Sequence, residues 1–217
     1  MLPLLQLQQL ADSAFPIGSA AHSFGLESLV DAGLLRVENL ADCLEDYLAE
    51  SGGLEAAYCQ ASCGAKLDDW YALNIELGAR KQARESRDAS AAMGRRFLRL
   101  AAAVSDHPLL LEAARVDAEV HLAASFGFVA SALGIDAATA AAAYLQQSIT
   151  ALVSACQRLL PLGQTQAHQI LWDLKPAILR ATEIGRTTPA SQARCFTPLV
   201  DLASARHATL YTRLFMS

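Results

Sequence analysis

The chain has 217 residues, a formal net charge of −5, and 53% hydrophobic against 18% charged residues. That length is ample for a buried core, and the balance excludes intrinsic disorder, a collagen-like repeat and a generally basic nucleic-acid binder. Ala (43) and Leu (35) dominate while Val and Ile together number only 15, so the composition argues for helices and against an extensive sheet.

Taken in chain order, Pro3 suits the first turn of a short helix carrying Leu4, Leu5, Leu7 and Leu10, which ends near Asp12-Ser13. Pro16 and Gly18 mark a turn-rich break, after which a second helix is predicted from about 19–23 to Gly33. Glu38-Asn39 opens a third helix. Its Leu40, Cys43, Leu44, Tyr47 and Leu48 fall on one face, and Ser51-Gly52-Gly53 is predicted to end it. Further helices read at about 54–65, 68–80 and 82–104. Pro108 starts a short one, and another runs from about 118 to Leu133, ended by Gly134.

Asp136 or Thr139 caps the next helix, which runs to about Leu160 and is broken by Pro161 and Gly163. Pro176 should kink or divide the stretch 164–185. Residues 187–198 read as a loop and 199–211 as a last helix. With no fixed-period repeat and no linker, the prediction is a single all-α domain over 1–217, of roughly nine to eleven helices. Its 1–12 helix and 207–217 tail are the segments least firmly held.

Five scattered Cys (43, 59, 63, 156, 195) suit reduced thiols better than a disulfide framework. The N-terminal run lacks a basic start and is interrupted by Asp12, and no apolar tract reaches the ~20 residues of a membrane span. A cytoplasmic protein without a membrane partner is the expectation. Cys59 and Cys63 share a helical face, but no further ligands are supplied nearby, so a packing role is the simpler reading. There is no GxxxxGK[ST] loop, GxGxxG turn, GxSxG elbow or HExxH pair, so catalysis and tightly bound cofactors are not predicted. Seven of the 17 cations lie between Arg80 and Arg99. They read as a solvated helix face, an acidic-partner site or, with Phe97 the lone aromatic, a poor nucleic-acid site.

Three segments carry more information than composition predicts. Leu10–Glu27 gathers Pro16, Gly18, His22, Ser23 and Glu27 around a helix start. Arg158–Gln164 is a helix break flanked by Arg158 and Gln164. The C-terminal run from His207 clusters Leu210, Tyr211, Arg213, Leu214 and Phe215. Tyr, Arg and Phe are common interface anchors, whereas a tail docked on its own core is the plainer alternative. His22, Glu27 or His121 in a deep pocket would instead suggest an all-helical enzyme or a small-molecule-binding protein.

At these residues the sequence resembles the UreF family of urease accessory proteins. The resemblance rests on Leu7–Glu27 (LQQLADSAFPIGSAAHSFGLE), on Asn74 with 87–94, and on His121 with Phe126-Gly127. It continues through Tyr144-Leu145, Arg158–Gln164 (RLLPLGQ) and Tyr211–Ser217 (YTRLFMS), in the family's order. One departure is Ala208, where the family usually carries Glu after the His. The resemblance implies an all-α, non-catalytic, homodimeric scaffold that binds UreD (also called UreH), recruits the GTPase UreG and docks on apo-urease. Nickel would be cargo in transit, with no tightly bound cofactor. It also implies that Tyr211, Arg213, Leu214 and Phe215 face UreD. Pro16, Gly18, His22, Ser23 and Glu27 would lie near the UreG or nickel route, with His22 a transient ligand, and Arg158 and Gln164 would be structural first and interfacial second.

Overall fold

A computed structural model describes residues 1–216. Among these the chain is all α, in twelve helical segments with no strand. They are α1 (Leu2–Leu10), α2 (Leu26–Asp31), α3 (Leu40–Tyr47), α4 (Gly53–Ser62), α5 (Leu67–Arg80), α6 (Arg84–Ser105), α7 (Pro108–Arg115), α8 (Leu122–Ala132), α9 (Ala137–Leu159), α10 (Gln164–Asp173), α11 (Lys175–Thr187) and α12 (Pro198–His207). α3 runs into α4 and α10 into α11 without leaving helical backbone, so the described residues form ten rods.

The core is built around α4, which packs on α8, α9 and α11 and buries Leu54, Ala56, Ala57, Tyr58 and Cys59. A helix buried on so many sides needs small partners. Gly127 of α8 sits against the Cys59 backbone, and Gly185 of α11 lies where a Cβ would come 2.6 Å from the Ala56 carbonyl carbon. α6 lays two rows, Ala89-Met93-Phe97-Ala101 and Ser90-Gly94-Leu98-Ala102, on the inner side of the fold, and it packs on α8. Phe97 stacks on Phe126 at 5.1 Å and meets Phe15 edge-on at 5.6 Å. Trp70 stacks on Phe128 at 4.5 Å and donates its indole N–H to the Ala124 carbonyl at 3.0 Å.

The structure corrects four boundaries. Gly52-Gly53 does not end the third helix. A π turn over Leu48–Gly52 carries the helix on, because both glycines are buried in helix contacts, Gly52 beside Leu145 and Ala181 and Gly53 beside Ile184. The predicted 19–33 helix is a 3-10 turn (Ser19–Ala21) and then α2, parted by left-handed backbone at Phe24 and Gly25. A side chain at Gly25 would meet Ser204 N and Val200 O at 3.0 Å, so α12 packs directly on that turn. The eighth helix begins at Leu122 rather than 118. Asn74 Oδ1 accepts the His121 N–H at 2.6 Å and Arg95 donates to the Ala118 carbonyl at 2.7 Å, which hold the preceding backbone extended. The last helix stops at His207, not 211. Elsewhere the reading matches: Asp136 caps α9 through the Thr139 N–H at 2.9 Å, and α10 gives way to α11 at Leu174, with Pro176 in the first turn of α11.

Candidate partner interface

The three information-rich segments meet at one place. Glu27 projects from the first turn of α2 and is buried. Its carboxylate accepts from His207 Nε2 at 2.7 Å, from the Leu214 N–H at 2.6 Å and from the Phe215 N–H at 3.2 Å. The Glu27 N–H itself donates to Ser23 Oγ, which is fully buried, at 3.5 Å. Burial pushes the Glu27 carboxyl up. The Leu214, His207 and Phe215 hydrogen bonds outweigh it and leave the group below the ordinary glutamate value.

The tail is pinned at two further points. The Met216 N–H donates to the Ala21 carbonyl at 2.8 Å. Phe215 is turned inward, 4% exposed, and the Arg158 guanidinium lies over its ring at 4.3 Å. The same Arg158 donates to the Ala20 carbonyl at 2.7 Å, so it ties the end of α9 to both the tail and the turn. In the free chain Phe215 is therefore an anchor and not an outward contact. Tyr211, fully exposed, and Leu214, Met216 and Arg213 face solvent. Ser217, the last residue of the tail block, lies outside the described residues.

The remaining site residues fall as follows. Pro16 is exposed and Gly18, at φ 88°, is half-buried beneath Arg96, whose Nη1 donates to the Ile17 carbonyl at 3.4 Å. His22 is buried beside Phe24. Burial first, and then the Arg96 charge, lower its pKa and keep the imidazole neutral at neutral pH. Gln164 is exposed at the start of α10, away from the tail's hydrogen bonds. Among the described residues no group of three His, Cys, Asp or Glu side chains is placed to hold a metal.

Four of the seven cations in the basic run make ion pairs within the chain, Arg84–Asp88 at the exposed surface. Lys81 pairs with Glu55, Arg80 with Glu76 and the Tyr58 hydroxyl, Arg84 with Asp88, and Arg95 with Asp117. That favours the structural reading of this stretch over a free cationic surface. Cys59 and Cys63 are also internal: Cys63 Sγ donates to Gly127 O at 3.3 Å, and burial raises both thiols.

A second buried polar group has no counterpart among the sequence motifs. Glu55 is buried between Lys81 and the Tyr144 hydroxyl, which donates to it at 2.5 Å, beside a cavity of about 100 Å³. Its partners lie 26 and 89 positions away, so no local spacing could have signalled it. Neither His22, Glu27 nor His121 lines that cavity, which removes the feature the enzyme reading required. His121 is fully buried beside Ser90 Oγ, and burial, with Lys81 and Arg87, holds its pKa down to about 3. Its ring should therefore show no titration between pH 8 and 5 by NMR. Protonation belongs to the unfolded state below about pH 6.5, so this residue withdraws stability as pH falls from there towards 3.

The UreF family model matches residues 35–175. The chain belongs to the UreF family. A urease accessory protein UreF from a Nostoc species is 35% identical over 219 residues, spanning 98% of this chain and 95% of its own length. Those from a Picosynechococcus species and from Dechloromonas aromatica are 34% and 33% identical and span 98% and 100% of this chain. The UreF relatives therefore align through the Glu27 block and the tail, beyond the ends of the family model. They are named as accessory proteins and not as enzymes, and this UreF-family chain is an accessory protein. Among the described residues no helix is long and apolar enough to cross a membrane.

Proposed function

We propose that the chain is a cytoplasmic urease-maturation scaffold whose C-terminal tail receives UreD (UreH) and through it brings UreG and apo-urease together for nickel delivery. The observation that carries this is the tail itself. It is held on Glu27 by its backbone, which leaves Tyr211, Arg213, Leu214 and Met216 to face outward. A frayed tail would expose its backbone and spend entropy on binding, whereas a pinned one presents a rigid aromatic and apolar surface. Arg213, exposed and with no ion pair among the described residues, is available to pair with a carboxylate or carbonyl. GTP belongs to the partner on this reading, in keeping with the missing phosphate loop.

The test is co-purification with UreD and UreG. Deleting 211–217 should abolish UreD capture while the circular dichroism spectrum stays helical, and retained capture with normal urease activation would overturn the tail assignment. A nickel-route role for His22 predicts that His22→Ala slows nickel-dependent activation in a folded protein, and an unchanged rate removes His22 from the route. Self-association is the remaining part of the reading. α1 leaves Met1, Leu2, Leu4 and Leu5 exposed while burying Leu7 and Leu10, which suits a homodimer seam. Leu4→Glu with Leu5→Glu should then give a monomer by sedimentation. Single-turnover GTP hydrolysis by UreG, with and without this chain, decides whether the scaffold also adjusts the GTPase.

A further inference from the structure

A groove on another face of the fold is built for a ligand of a definite kind. It runs between α2, α3 and the start of α12, with a volume of about 500 Å³. Leu29, Leu35, Cys43 and Tyr47 form its floor. One wall is apolar and open to solvent: Leu34, Phe196 and Leu199 are 54, 79 and 56% exposed. The opposite wall carries Asp42, Asp46 and Glu50 at four-residue steps, and no Lys, Arg or His lines the groove. Glu50 Oε2 accepts the Phe196 N–H at 3.0 Å, which fixes the aromatic wall relative to the acidic one. Asp42 and Asp46 make no ion pair among the described residues.

The geometry points to a basic amphipathic segment of a partner protein as the occupant. Its apolar residues would seat over Leu34, Phe196 and Leu199, and its Lys or Arg residues would meet Asp42 and Asp46. Charge complementarity selects this occupant: an acidic segment would be repelled by three uncompensated carboxylates. A second copy of this chain is a poorer candidate, because its net charge is −5 and four of the seven cations in its basic run are already ion-paired. This surface does not depend on the tail reading, since none of its residues contacts Glu27 or 211–216 through a hydrogen bond.

The probe is a fluorescein-labelled, 14-residue helical peptide of Leu and Lys at amphipathic spacing, with a Glu-for-Lys counterpart as control. Anisotropy titration of the full chain should show saturable one-to-one binding of the cationic peptide only, with amide-shift changes confined to 29–50 and 196–200. Asp42→Asn with Asp46→Asn should weaken it about tenfold. Phe196→Ser, an exposed and fold-neutral change, should do the same. Deletion of 211–217 should leave it intact. The proposal is overturned by absent or non-saturable binding, by equal binding of the acidic peptide, by indifference to the Asp42/Asp46 pair, or by loss on tail deletion, which would assign the binding to the tail. A rise in the mass of the chain itself without peptide, reversed by Phe196→Ser, would assign the groove to self-association and overturn it as well.

Discussion

Gly127→Ala should destabilise the chain by about 3 kcal/mol and lower its melting temperature by roughly 6–12 °C. The added Cβ would fall inside the contact radius of the Cys59 carbonyl oxygen, a backbone atom of the central helix that no rotamer change can move aside. Relief requires α8 to shift off α4, and that shift disturbs the Trp70–Phe128 and Phe97–Phe126 stacks that α8 makes with α5 and α6. Gly163→Ala is the control, because a Cβ there meets nothing within 4 Å and should change stability by less than about 1 kcal/mol. Thermal and urea unfolding of the two variants measure the difference. A Gly127→Ala protein that melts with the wild type would show that α8 is not held as closely against the Cys59 backbone of α4 as described above.

Glu27→Gln should release the tail without unfolding the domain. One carboxylate holds three donors, and the amide keeps one good acceptor oxygen while turning its NH2 against a donor. Hydrogen bonds to a charged acceptor contribute about 1.5–3 kcal/mol each, so exchange of the Leu214 and Phe215 amides should quicken by at least tenfold. UreD capture and urease activation should fall with it. Tyr211→Ala is the complementary variant. Its side chain touches nothing internal, so it should weaken UreD capture while amide exchange at 214–215 stays slow. The pH dependence follows from the sign of the Glu27 shift. A carboxyl held below its ordinary value of 4.5 contributes stability that is fully present above that pH and is lost as the pH falls through the lowered value. Tail protection should therefore be flat across neutral pH and collapse only in acid, and Glu27→Gln should remove that acid transition.

The helices were legible because their signals are local. Pro108 and Pro176 stand in the first turns of their helices, Asp136 caps through Thr139, and the α6 rows repeat every four residues. The errors fall where long-range contacts override a local signal. Gly52-Gly53 reads as a stop in any window of ten residues, yet α11 and Leu145 make it an interior contact. Residues 118–121 look helical until Asn74 and Arg95 take their backbone groups. The site was half legible. Composition and spacing marked Pro16–Glu27, Arg158–Gln164 and the tail as unusual, and the family resemblance ordered them. That the first and the last join through a single carboxylate depends on pairings of residues 180 to 188 positions apart, and Arg158 joins them through the Ala20 carbonyl and the Phe215 ring. The groove beside α3 had no signature, since Phe196 and Leu199 of its apolar wall come from the opposite end of the chain to Leu34 and the acidic wall.

That separation has a consequence for how the protein is made. Glu27 leaves the ribosome early, and its three donors follow 180, 187 and 188 positions later. The helical core is formed largely from residues in between, so the contacts on Glu27 can close only after most of the core has been synthesised. A nascent or prematurely terminated chain can thus build most of its interior and still lack the pinned surface. On the proposed reading, partner recruitment waits until residues 207–215 have been made.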